Sequence, residues 1–74
     1  MARLEETVLT IEEYEALRLS DFQQLSQTDA SKKMGISQPT FHRLLSSARK
    51  KVSDAIINGK AIRIAGGHYE LRQT

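Results

Sequence analysis

The sequence predicts a mainly α-helical domain of three helices with a C-terminal β-hairpin, and three observations carry that expectation. Phe41, Leu44, Leu45, Ala48, Val52, Ala55 and Ile56 recur at steps of three and four, the mark of one long amphipathic helix. A glycine interrupts the run "ASKKMGISQPTFHRLL", residues 30 to 45, which would otherwise suit a single helix, so the chain has reason to turn there. Near the end, "KAIRIAGGHYELR" changes to period two around Gly66-Gly67, a strong two-residue hairpin turn.

A chain of 74 residues suffices for one small domain, residues 1–74, with a helical core over 26–57 and a hairpin over 61–72. At this size only about 60% of the unfolded surface is buried, so a deep, walled active site is hard to build and a binding module is expected before an enzyme. The chain has no cysteine, which excludes a disulfide framework and a cysteine-ligated zinc site. Stability must therefore come from the core or from a second chain. No apolar run approaches the about 20 residues that span a bilayer, and "MARLEETVL" lacks an apolar signal core. A cytoplasmic protein without a membrane partner is expected.

The first helix is predicted over about residues 11 to 21. Thr10 with Glu13 three residues on forms a capping box, Leu9 and Tyr14 can form a hydrophobic staple, and Ile11, Tyr14, Leu17 and the stem of Arg18 recur at helical spacing. The second helix is short, about 27 to 34, with Ser26 as N-cap, Asp29 in its first turn and Gly35 just past its end. Ala30 and Met34 share its apolar face, while Lys32 and Lys33 face solvent.

Ser37 starts the third helix, Pro39 falls in the first turn where a missing N-H costs little, and Asn58-Gly59 ends it. About 20 residues at 1.5 Å each give roughly 30 Å, long for so small a domain. In the hairpin, Ile64 would face Tyr69, Arg63 would face Glu70 and Ile62 would face Leu71. An isolated hairpin is marginal. This one is expected to pack on the helices or to be extended by the apolar segment "TVL" at 7 to 9.

Charge is divided unevenly along the chain. Residues 1–31 carry two cations against seven acids, a net of −5, whereas residues 32–74 carry nine cations against two acids, a net of +7. The basic half is a candidate surface for a polyanion. Two helices joined by a glycine-containing turn, the second one amphipathic and basic, match the helix-turn-helix unit that lays its second helix in the DNA major groove. With Ala30, Met34, Ile36, Phe41 and Leu44 turned inward, Gln38, Thr40, His42 and Arg43 project outward. Arg bonds guanine in bidentate fashion, Gln suits adenine, and Thr can bond a base edge or touch the thymine methyl. Ser37 and its neighbouring amides could hold a phosphate, and Arg49, Lys50 and Lys51 lie two turns on, where a long helix meets the sugar-phosphate backbone.

Catalytic and metal chemistry are not expected. His42 and His68 are the two histidines and neither has a partner at ligand spacing. The serines and acids form no nucleophile or acid/base motif, and no cofactor is called for.

The stretches "EALRLSD", "ASKKMGISQPTFHRLLSSARKK" and "NGKAIRIAGG" resemble the uncharacterised protein family 0251, a prokaryotic group of predicted DNA-binding proteins, over about residues 8 to 67. The resemblance implies a helix-turn-helix like the one sigma factors use to read the upstream promoter element, hence DNA binding and transcriptional regulation. By position it makes residues 26–51 the reading module, with Ser37, Gln38, Thr40, His42 and Arg43 in the outward set. A homodimer on double-stranded DNA is expected, because two-fold sites are commonly read by dimers. The rival expectation is a protein-interaction module that docks on RNA polymerase or another regulator.

Overall fold

The computed structural model describes residues 4–65. The described residues begin with strand β1 (Glu6–Leu9) and enter helix α1 (Ile11–Leu17), which continues as a π-helical stretch, Arg18–Phe22. Helix α2 (Gln27–Met34), helix α3 (Gln38–Asn58) and strand β2 (Ala61–Ile64) follow. The protein is thus mainly helical with a small two-stranded sheet. None of the described helices is long and apolar enough to cross a membrane.

Each helix starts where the local chemistry demands. Thr10, in extended conformation, accepts a hydrogen bond from the Glu13 amide at 3.1 Å, and the Glu13 carboxylate accepts one from the Thr10 amide at 2.9 Å. Both orphan donors of the first turn are satisfied reciprocally. The buried face of α1 differs from the one its apolar periodicity suggests. It runs through Ile11, Glu13 and Ala16 and on to Leu19, while Tyr14, Leu17 and Arg18 are half-buried. A pattern of large apolar residues passes over Ala16, whose small side chain lets helices approach closely, and over Glu13, whose burial depends on partners far along the chain.

From Arg18 the helix widens. The Gln23 amide bonds the Arg18 carbonyl, five residues back, at 2.9 Å. The segment leaves the helix through Gln24 at φ 63°, a left-handed conformation for which a residue with a Cβ is strained by roughly 1–2 kcal/mol. The Gln24 side chain donates to the Asp21 carbonyl at 2.8 Å and so caps the exposed end. The consequence of the wider turn is that Leu19 is buried while Phe22 is 82% exposed.

Ala16, Leu19, Ala30, Phe41 and Leu45 form the centre of the core, and Leu17, Leu25, Met34, Ile36 and Leu44 pack around it. The inward assignment of Ala30, Met34, Ile36, Phe41 and Leu44 agrees with this packing. The stripe on α3 stops short of its expected end, however, because Ala55 is buried and Ile56 is 72% exposed. One residue is about 100° of helical rotation, which carries Ile56 off the face that packs on α1 and β1.

The sheet is parallel, with Glu6 opposite Ala61, Thr7 opposite Ile62, Val8 opposite Arg63 and Leu9 opposite Ile64. Parallel strands need a long crossover, and here all three helices provide it. The segment at 7–9 therefore does extend the strand at 61–64. The predicted hairpin turn at Gly66-Gly67 and its second strand lie outside the described residues.

Two polar residues are buried among the described residues, Ser31 and Glu13, and Glu13 is the charged one. Glu13, 5% exposed, receives hydrogen bonds from the Thr10 amide, from Ser47 Oγ and from Lys51 Nζ, the last at 2.8 Å, and Lys51 Nζ also donates to the Val8 carbonyl at 2.9 Å. The carboxylate thereby ties the β1–α1 junction to the middle of α3. Burial by itself would raise its pKa, but the bonds from Lys51, Ser47 and the Thr10 amide, with the Lys51 charge, together outweigh it, and the group titrates below its ordinary value. Because the folded pKa is depressed, this contribution to stability is present above the unfolded glutamate value and is lost as pH falls through the folded one. Replacing Glu13 with Ala strands Lys51 and removes the carboxylate half of the capping box, an expected cost of about 2 to 4 kcal/mol in chemical denaturation at neutral pH. Glu13→Gln should in addition flatten, without abolishing, the loss of stability toward acid, since Glu15 and Asp21 are also held below their ordinary values by Arg18 and Arg49.

Candidate nucleic-acid interface

The connection between α2 and α3 is three residues, and its geometry follows from the residue types. Ser26 accepts from the Asp29 amide at 3.1 Å and starts α2. At the other end Gly35 adopts φ 69°, its amide bonds the Lys32 carbonyl, and the Ile36 amide bonds the Ser31 carbonyl, both at 3.1 Å. Nested bonds of this kind close a helix and reverse the chain around a left-handed residue, the conformation in which glycine carries no Cβ penalty. Ile36 then packs against the core, and Ser37 resumes helix by accepting from the Thr40 amide at 3.3 Å.

The residues expected to form the reading surface are found at this second start. Ser37, Gln38, His42 and Arg43 are exposed and Thr40 is half-buried. They are linked to one another. Ser37 Oγ donates to Thr40 Oγ1 at 2.9 Å, and Arg43 Nη2 approaches the same oxygen at 3.4 Å. Gln38 Nε2 donates to Thr28 Oγ1 of α2 at 3.0 Å. The amides at the helix start offer a phosphate less than the sequence suggests, because Pro39 has no N-H and that of Thr40 is taken by Ser37.

Farther along α3 the three cations expected to act as a group have different surroundings. Lys50 is exposed and forms no ion pair among the described residues. It lies seven residues after Arg43, two helical turns or about 10 Å away on the same exposed face. Arg49 holds Asp21 in a two-pronged pair, Nη2 to Oδ1 at 2.6 Å and Nε to Oδ2 at 3.0 Å, and its hydrogen bonds pull the Asp21 pKa down. Both side chains remain substantially exposed, so Arg49 can still exchange this carboxylate for another anion.

Lys51 corrects the sequence reading. It is 33% exposed, and its ammonium is occupied by Glu13 and the Val8 carbonyl, which makes it a structural cation and not a member of the solvent-facing set. Thr28, the partner of Gln38, was outside the expected set altogether. Nothing local could have pointed to it, since the two residues stand ten positions apart on different helices.

The fold and this surface define a small, mainly helical domain that presents an exposed, partly basic helix start held against a second helix. The chain belongs to the family described as "Protein of unknown function DUF134", which matches residues 2–72. It is 56% identical over 71 residues to a UPF0251 protein of Moorella thermoacetica, covering 96% of this chain and 48% of that one. A UPF0251 protein of Methanococcus vannielii is 57% identical over 70 residues, 95% of this chain and 54% of the relative. One from Thermoanaerobacter pseudethanolicus is 51% identical over 71 residues, 96% and 60% of the respective chains. The chain thus spans about half the length of the curated relatives it matches. No solved structure matches it.

The two neighbouring lysines should separate cleanly in thermal denaturation. Lys51→Met keeps the aliphatic stem but leaves Glu13 without its charged partner, and is expected to cost about 1 to 3 kcal/mol. Lys50→Ala removes an exposed charge and is expected to stay within about 0.5 kcal/mol of the parent.

Proposed function

We propose that this domain is a non-enzymatic, sequence-specific DNA-binding module that lays the N-terminal half of α3 in the major groove of double-stranded DNA and serves transcriptional regulation. The observation that carries the reading is the exposed cluster of Gln38, His42 and Arg43, with Thr40, on the outer face at the start of a helix that follows α2 across the Gly35 turn. A helix so presented matches the helix-turn-helix mode of docking, in which N-terminal residues of the second helix meet base edges. Arg43 suits guanine and Gln38 suits adenine. Lys50, with Arg49 once it leaves Asp21, would meet phosphates two turns on. These contacts position the helix without specifying sequence.

A homodimer, formed through the segment at 4–9 or the hairpin predicted at 61–72, belongs to the same reading, because a single reading helix covers only a half-site. Such a protein would work in the cytoplasm beside RNA polymerase. The rival is a module that docks on RNA polymerase or another regulator through the same basic helix.

Salt dependence distinguishes the two. Binding to random duplex should weaken with a log-log slope of about −0.9 per phosphate neutralised, and Lys50→Ala should reduce that slope by about 1. Arg43→Ala should leave the slope less changed and erode discrimination between target and mismatched duplexes by about 1 to 3 kcal/mol, measured on sequences selected from a random pool. Identical behaviour of both variants and the parent on every duplex would overturn the DNA reading in favour of the protein partner.

A further inference from the structure

Gln38 is the residue of the reading surface best suited to adenine, yet a free glutamine side chain samples many rotamers and would present its amide in many directions. In this protein it does not project alone. Its Nε2 donates to Thr28 Oγ1 at 3.0 Å, across the gap between the two helices. Thr28 lies in the first turn of α2, two residues after the Ser26 cap, and is exposed, as is Gln38. The bond is therefore not a core interaction retained for stability, since an exposed neutral pair of this kind contributes little to the fold.

From this contact we infer that Thr28 is a positioning residue, one that sets base preference by orienting Gln38. The inference rests on the DNA-binding reading of α3. The chemistry of the amide allows both contacts at once. Its nitrogen carries two hydrogens, one syn and one anti to Oε1. Pairing with adenine uses Oε1 and the syn hydrogen together, accepting from N6 and donating to N7. The anti hydrogen suffices for Thr28, so the edge that faces a base stays complete. The Thr28 hydroxyl accepts through a lone pair and cannot accept from the carbonyl oxygen of a flipped amide, although its own proton could bond that oxygen in place of a base. Tethering the amide to α2 thus narrows the directions in which its free edge can look outward. The ordering cost of the side chain falls on the free protein, and the bound state gains from that preorganisation.

Two substitutions separate the hydroxyl from the shape of the residue. Thr28→Val keeps the volume and removes the acceptor, while Thr28→Ser keeps the hydroxyl. In selection from a random duplex pool, Thr28→Val is expected to lower the preference at the base pair facing Gln38 by about three- to tenfold and to leave the other positions and the salt slope unchanged. Thr28→Ser should restore the preference, and neither change should move the thermal midpoint beyond a few degrees. In a Gln38→Ala background Thr28→Val should have no further effect. In the free protein, the side-chain amide resonances of Gln38 should shift in Thr28→Val and not in Thr28→Ser.

A Thr28→Val variant that enriches the same sequences with the same preference overturns the inference while leaving DNA binding intact. So does an effect of Thr28→Val that persists without Gln38, because Thr28 would then touch the duplex itself. A parent protein that enriches no sequence, while the Gln38 amide still responds to Thr28→Val, overturns the DNA reading and the specificity role with it.

Discussion

The buried carboxylate of Glu13 adds directed hydrogen bonds to parts of this protein that otherwise meet through apolar packing. Its own helix start depends on it, through the Thr10 amide; α3 depends on it, through Ser47 and Lys51; and β1 is reached through Lys51 and the Val8 carbonyl. A buried ion pair is weak evidence of net stability, since desolvation offsets much of the attraction. Its effect here is on geometry. An apolar residue in place of Glu13 could fill the volume, but it could not fix the helical register of α3 against α1 in the same way, because apolar packing is tolerant of small slides and the two directed hydrogen bonds from Ser47 and Lys51 are less so.

Register matters because the exposed residues of α3 have meaning only relative to α2. Phe41 and Leu45 anchor one face of α3 in the core beside Ala16, Leu19 and Ala30, and the opposite face takes whatever direction that anchoring leaves. The Gly35 turn fixes the near end of α3 and the Glu13 cluster fixes its middle. Between them they determine that Gln38 meets Thr28 and that Arg43 and Lys50 look outward together. The charge division along the sequence acquires a spatial counterpart in the same way. Acids of the N-terminal half take up cations of the basic half, Glu13 with Lys51 and Asp21 with Arg49, so less positive charge is free than the net of the segment suggests.

Much of the local architecture was legible from short-range chemistry. The capping box of Thr10 and Glu13, the caps at Ser26 and Ser37, and the left-handed residues Gly35 and Gly59 are all where residue type and spacing put them. The outward set at 37–43 was legible too, because it is the complement of a well-marked apolar stripe. The widening of the helix at Arg18 was not legible, since nothing in "RLSDF" distinguishes an i to i+5 bond from an i to i+4 bond until Leu19 has to reach the core. Nor was the end of the stripe at Ala55, because Ile56 is apolar whether or not a neighbour stands opposite it.

The sequence by itself determined where each helix begins and where α2 and α3 end, since those decisions are made by hydrogen bonds among residues three to five positions apart. Only the tertiary structure decided which charges are available to a partner. Lys51 meets Glu13 across 38 positions, Arg49 meets Asp21 across 28, and Gln38 meets Thr28 across ten and a reversal of chain direction. Composition weighs Lys50 and Lys51 alike. The fold separates them because a rotation of about 100° between adjacent helical residues sends one ammonium to solvent and the other to a buried carboxylate.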